Sequence, residues 1–196
     1  NITSPYWTQL GSNIMDPMPG AILHTGFGGV LHLSRDGTVL AVGAPFLNDH
    51  NGGVYTFMYD QVEGDWIPLG LNGGLLTAPF PGHFGMRVAL SGDGTRIAVV
   101  ALSFARIYDY MATKGAWELV GADVWEPSTT EVADKAKTIF GGDMSEDGSL
   151  LLLQFSDGIN EVYVLNSNGE QWIRLGNTMR YGGGRLRSVV LSADGS

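Results

Sequence analysis

No cysteine occurs in the 196 residues, so neither a disulfide framework nor thiolate chemistry is open to this chain. Basic side chains are few, 11 Lys and Arg against 20 Asp and Glu, for a net charge of −9. That balance argues against nucleic acid, because phosphate recognition needs clustered cations to displace counterions. It disfavours an anionic membrane surface for the same reason. The one local basic run, Arg180, Arg185 and Arg187, is split by glycines and reads as a solvated loop. No run of 18 apolar residues is present, so no helical membrane span is expected. No signal peptide is visible, which a mature secreted chain would have lost. Standard catalytic phrases are missing too: there is no His-Glu-x-x-His, no phosphate-binding Gly-Lys-Ser or Gly-Lys-Thr loop and no Gly-x-Ser-x-Gly elbow. The glycine clusters at 26–29 and 182–184 lack the strand-to-helix setting of a dinucleotide site and read as turns.

What is present is a packed, strand-rich composition: 44% hydrophobic residues, 16% charged, and 29 glycines lying between short apolar runs. One phrase recurs four times, as Ser34-Arg35-Asp36-Gly37, Ser91-Gly92-Asp93-Gly94, Ser145-Glu146-Asp147-Gly148 and Ser192-Ala193-Asp194-Gly195. A second, Trp-x-x-apolar-Gly, starts at Trp7, Trp66, Trp117 and Trp172. Two independent phrases sharing a period of roughly 50 residues mark a repeat array.

Inside each repeat the apolar pattern alternates in four short bursts, which is the pattern of a propeller blade. The fold expected is therefore all-β: a β-propeller fragment with blades at about 26–70, 83–121 and 138–176, and loose strands at 7–11 and 188–191. Closed propellers typically need four to eight blades. The expected partners thus include the remaining blades, or a further copy of the chain. Ser-x-Asp-Gly falls between the first and second strands, where glycine accepts positive φ and Ser and Asp bond nearby amides. Each tryptophan opens a fourth strand, with its ring expected to pack between blades.

Gly26-Phe27-Gly28 ahead of the first strand and Val42-Gly43-Ala44-Pro45 ending the second resemble the signature of FG-GAP repeats, found in integrin α-chain propellers and in secreted microbial and algal proteins. Blade two keeps Phe84-Gly85 but has Val99-Val100-Ala101, and blade three holds Phe140-Gly141 out of register. The resemblance implies calcium loops between the first two strands. Only blade three approaches the needed donors, with Asp143, Ser145 and Asp147, and Leu151 fills the last ligand position. No cofactor is expected beyond a weak, water-rich calcium site there.

The four histidines, His24, His32, His50 and His83, fall at unlike positions in the repeat and read as exposed polar residues. Unequal loops are the better pointer to binding, since a rigid scaffold presents its variable connections. Asn48, Asp49 and His50 lie in the loop 46–53, and Trp125 and Glu131 in the segment 125–139, where Ser128 to Glu131 suits a helix cap. The sequon Asn1-Ile2-Thr3 suggests glycosylation. The function expected is a secreted or cell-surface, non-catalytic module binding a protein or glycan. The alternatives are an accessory propeller of a larger secreted enzyme, and an intracellular scaffold.

Overall fold

The computed structural model describes residues 7–18, 24–124, 138–180 and 189–195. Three antiparallel meanders make up the described chain. Sheet one runs β1 (Val30–Leu33), β2 (Val39–Ala44), β3 (Gly53–Asp60) and β4 (Asp65–Pro68), with the two-residue β5 (Leu75–Leu76) also paired to β3. Sheet two is β6 (Arg87–Leu90), β7 (Arg96–Val100), β8 (Ala105–Met111) and β9 (Ala116–Leu119). Sheet three is β10 (Ile139–Met144), β11 (Leu150–Phe155), β12 (Ile159–Leu165) and β13 (Trp172–Arg180). The first strands β1, β6 and β10 contact one another in sequence, so the sheets fan outward from their inner strands as blades do. The all-β propeller-fragment architecture is therefore correct.

Several edges differ from the expectation. Residues 7–11 and 189–191 form no strand. β13 extends to Arg180, where it pairs with Ile159. β10 begins at Ile139, and a register shift there turns Ile139 into the core and leaves Phe140 half exposed. Asn1, Trp125, Glu131, Arg185 and Arg187 lie outside the described residues, as does most of the expected helical segment.

Alternation along each strand sends one set of side chains to each neighbouring blade, giving a separate core at every seam. Between blades one and two, Val39, Ala41, Val54 and Leu69 meet Phe84, Leu90, Ile97 and Val99. Between blades two and three, Ala98, Val100 and Ile107 meet Ile139, Leu151, Leu153 and Trp172. The free face of blade one packs Val42, Tyr55 and Phe57 with Ile14 and Phe27 from the chain before it.

The tryptophans act as an inter-blade relay. Trp66 Nε1 donates to the carbonyl of Leu10 at 3.0 Å, Trp117 Nε1 to that of Leu69 at 3.2 Å, and Trp172 Nε1 to that of Val120 at 3.1 Å. Each acceptor is the residue before the glycine in the preceding copy of Trp-x-x-apolar-Gly. Trp7, the first tryptophan of the series, is fully exposed.

The Ser-x-Asp-Gly turns repeat atom for atom. In the first three, the Ser hydroxyl donates to its Asp at 2.6–2.7 Å, and that Asp accepts the backbone N–H and hydroxyl of Thr38, Thr95 or Ser149. The same Ser oxygen accepts the N–H opening the second strand, from Val39, Arg96 or Leu150, at 2.9–3.0 Å. Donors aimed at a carboxylate favour its ionised form. The Ser34 and Ser145 hydroxyls, helped by the amides of Thr38 and Ser149, hold Asp36 and Asp147 below the usual carboxylate range. For Asp93, burial pushes upward, and the Ser91 and Thr95 donors outweigh it.

Carboxyls lowered on folding stabilise above their unfolded pKa, about 4, and that contribution is lost as pH falls through the folded value. The urea midpoint is thus expected to drop between about pH 6 and pH 3. A variant carrying Asp36→Asn, Asp93→Asn and Asp147→Asn should show a clearly smaller drop. An equal drop in both proteins would assign the acid sensitivity elsewhere.

Candidate functional site

In a meander, the connections after strands two and four emerge on the same side of a blade, opposite the Ser-x-Asp-Gly turns. On that side the connection from β2 to β3 carries Phe46, Asn48, Asp49 and His50, and the one leading into β6 carries His83. The structure brings Phe46, His50 and His83 together. Their rings meet edge to face, with centroids 5.4 Å apart for Phe46 and His50, 5.5 Å for Phe46 and His83, and 5.0 Å for the two imidazoles.

Backbone bonds between the two connections set this contact. The His83 N–H donates to the His50 carbonyl at 2.9 Å, Phe84 N–H donates to Asn51 at 3.0 Å, and Gly52 forms a parallel bridge with Phe84. The local cost is visible in the dihedrals. Asn48, Asp49 and His50 all have positive φ, at 51°, 54° and 69°, and His83 has 57°. Asn, Asp and His are the non-glycine residues that enter this region most readily, yet four such residues at one site remain strained, at about 1 kcal/mol or more each. Gly26 completes the wall: a Cβ there would lie 2.8 Å from the Phe46 ring. An aromatic edge, two imidazoles and the Asp49 carboxylate on one exposed rim can bind a small polar ring and move a proton.

Beside His83 in the sequence, exposed Phe80 stands edge to face on buried Phe104 at 5.8 Å. The Arg106 guanidinium lies 5.2 Å from the Phe80 ring and 5.5 Å from Phe104, and pairs with Asp123 at 2.6 and 2.9 Å. That Asp123 hydrogen bond, against the opposing effect of burial, holds Arg106 charged.

The calcium candidates Asp143, Ser145 and Asp147 are hydrogen-bonded within the turn and to the next unit. Ser145 gives its proton to Asp147, Asp147 also serves Ser149, and Asp143 Oδ2 accepts the Leu191 N–H at 2.7 Å. Among the described residues no group of three or more histidines or carboxylates is placed to hold a metal. Asp143 has a counterpart in blade one. His32 occupies the same repeat position, and its Nδ1 accepts the Leu90 N–H at 3.2 Å, so both side chains stitch an inner strand to the next blade. Burial lowers the His32 pKa, with Asp143 opposing. A concavity of about 920 Å³ opens at the turn face, lined by Asp36, Asp93, Glu146 and Asp147. Its Asp residues, Asp194 included, are those of the four Ser-x-Asp-Gly turns, and Glu146 pairs with Arg35, so the loop face is the better chemical site.

Of the binding residues singled out in the sequence, His50 lies at the centre of the cluster, with Asn48 and Asp49 on its strained approach. His83, read as a solvated loop residue, was missed as its partner. The available signal was that both histidines sit on connections emerging on one face.

No protein-family model matches the chain, and no curated protein matches it. Solved structures do. A candidate 6-phosphogluconolactonase of Bacteroides fragilis superposes with a TM-score of 0.53 at 15% identity, over 76% of this chain and 38% of its own. The periplasmic gluconolactonase of Pseudomonas aeruginosa gives 0.55 at 13%, over 80% and 42%. The complex of KlAtg21 with the coiled-coil of AgAtg16 gives 0.51 at 17%, over 74% and 43%. The chain thus spans about two-fifths of the length of the propellers it matches. At such identities the likeness shows the fold.

These neighbours correct the expectation of a non-catalytic module. Propellers of this build include proteins named as lactonases, so missing catalytic phrases do not mark the chain as inert. Nor need an active site lie outside the blades, as the accessory-propeller alternative supposed. Among the described residues no helix is long and apolar enough to cross a membrane. The chain is a segment of a β-propeller.

Proposed function

We propose that the propeller containing these blades hydrolyses a small cyclic ester of the sugar-acid lactone class at its loop face. The observation carrying this reading is the contact of His50 and His83, 5.0 Å apart on strained backbone beside Phe46. The names of the similar propellers supply the substrate class. One imidazole takes a proton from water as the water oxygen adds to the lactone carbonyl. The ring C–O bond then breaks, and the proton returns to the departing oxygen, giving the open hydroxy acid. Phe46 offers an apolar wall for the sugar ring, and the second imidazole holds the carbonyl oxygen or the water.

The FG-GAP likeness remains our reading of the repeat's ancestry: in blade two Phe84 fills a seam, and Gly85 permits the close approach behind it. A protein partner is part of the same reading, since one similar propeller is solved in complex with a coiled-coil.

Glucono-δ-lactone hydrolysis, followed by pH-stat against the spontaneous rate, tests the proposal. General-base removal typically costs about 10²–10⁴-fold, so His50→Ala and His83→Ala should each lose at least about 10²-fold, with His24→Ala unchanged. Wild-type protein no faster than background, or histidine variants at wild-type rate, would refute it.

A further inference from the structure

The loop-face end of β6 departs from the repeat. Its first residue is Arg87, whereas the same repeat position, four places before the Ser of the turn, holds Val30 in sheet one and Gly141 in sheet three. Val88, Ala89 and Leu90 after it are buried in the seams, and Arg87 is half-buried. A guanidinium drawn partly out of water at the mouth of a seam is costly unless something pairs with it.

Elsewhere that partner is a carboxylate. Arg35 pairs with Glu146, Arg96 with Asp109, Arg106 with Asp123 and Arg174 with Glu161. Arg87 has no carboxylate within pairing distance among the described residues. A guanidinium carries five N–H donors. Here Nη1 donates to the Met86 carbonyl at 2.7 Å, which turns the group back towards the connection entering β6. That connection carries His83. The Met86 N–H donates to the His83 carbonyl at 3.0 Å, closing residues 83–86 into a tight turn whose ends lie within about 7 Å of each other. Along β6, Val88 and Leu90 face blade one and Ala89 faces blade three. By that alternation Arg87 leaves on the side away from His50 and His83, so the imidazole pair and the unpaired cation flank the end of one inner strand.

Resting on the lactone reading above, we infer that Arg87 holds the carbonyl oxygen of the substrate across the end of β6. Water adds to the carbonyl carbon while an imidazole takes its proton, and the carbonyl electron pair moves onto the oxygen facing the guanidinium. The pair returns as the ring C–O bond breaks, and the departing oxygen takes the proton back from the imidazolium. The hydroxy acid formed loses its carboxyl proton to solvent, and the same planar fork suits the resulting carboxylate. The second imidazole is then left to hold the water.

On glucono-δ-lactone, Arg87→Ala is expected to lower kcat by about 10²–10³-fold with KM little changed, as loss of a charge-stabilising donor does. Guanidinium chloride should restore part of that loss beyond sodium chloride at equal strength, which repair of a merely structural role would not show. Arg87→Lys, with the charge but not the fork, should fall between. A folded Arg87→Ala protein at the wild-type rate overturns the inference and leaves the lactone reading standing, as does a loss that guanidinium leaves untouched. If the wild-type protein hydrolyses no lactone, that reading falls and gluconate binding by titration calorimetry decides Arg87 alone. Binding lost in Arg87→Ala upholds the anion site, and binding absent from both or equal in both overturns it. Should Arg87→Ala not fold, Arg87→Lys carries the same comparisons.

Discussion

Replacing Gly85 with alanine is expected to destabilise the protein by about 2–6 kcal/mol, the sum of about 1–3 for forcing a side chain onto this backbone and about 1–3 for overpacking. Gly85 has φ +92°, and a Cβ there would lie 2.3 Å from the Gly53 carbonyl oxygen and 3.0 Å from Val54 Cγ2. The carbonyl has no room to retreat, because Gly53 pairs with Ala44 in sheet one. The crowding is mutual across the seam: a Cβ on Gly43 would come within 2.3 Å of the Gly85 oxygen, and one on Gly52 within 2.2 Å of the Phe84 oxygen. Gly28 provides the control. Its φ is +82°, but nothing lies within 4 Å, so Gly28→Ala bears only the conformational cost. Urea midpoints measure both, and equal losses would disprove the close-approach account. Against a usual stability of about 5–15 kcal/mol, the Gly85 change alone approaches unfolding.

Trp117→Ala is expected to cost about 3–5 kcal/mol, as truncation of a packed tryptophan generally does. The ring fills the seam between blades one and two, tilted on Tyr110 at 5.3 Å. Its N–H reaches both the Thr56 hydroxyl at 3.0 Å and the Leu69 carbonyl at 3.2 Å. Trp117→Phe retains most of the apolar contact and should lose only about 0.5–1.5 kcal/mol for the hydrogen bond. Trp7→Ala, at a fully exposed ring of the same phrase, should change stability by no more than about 0.5 kcal/mol. Equal effects at Trp7 and Trp117 would remove the relay as a source of stability.

The repeat was legible because its determinants are local. Ser34, Asp36, Gly37 and Thr38 close one turn among themselves, so their spacing reports their geometry directly. The tryptophans were legible by period, although their acceptors about 50 residues upstream were not, since no side chain at Leu10, Leu69 or Val120 advertises a backbone carbonyl. The inner stitch was illegible for a related reason. Asp143 reads in the sequence as a weak calcium donor, and its equivalence with His32 as an acceptor of the next unit's amide shows only once the units are packed.

The candidate site was half legible. His50 stood out through loop length, but its contact with His83 depends on backbone pairing across a seam and on left-handed dihedrals at residues that are not glycine. Phe140 shows the opposite case, where a family phrase survives in the sequence while a register shift gives its core place to Ile139.

The links between successive turns all run one way, the N–H of Arg35 donating to Gly92, that of Gly92 to Glu146 and that of Glu146 to Ala193. Heat loosens such an array unit by unit, each lost unit weakening the one behind it, as nearest-neighbour coupling dictates. Among the described residues blade two shares a seam with a blade on either side, so it carries the most of that coupling.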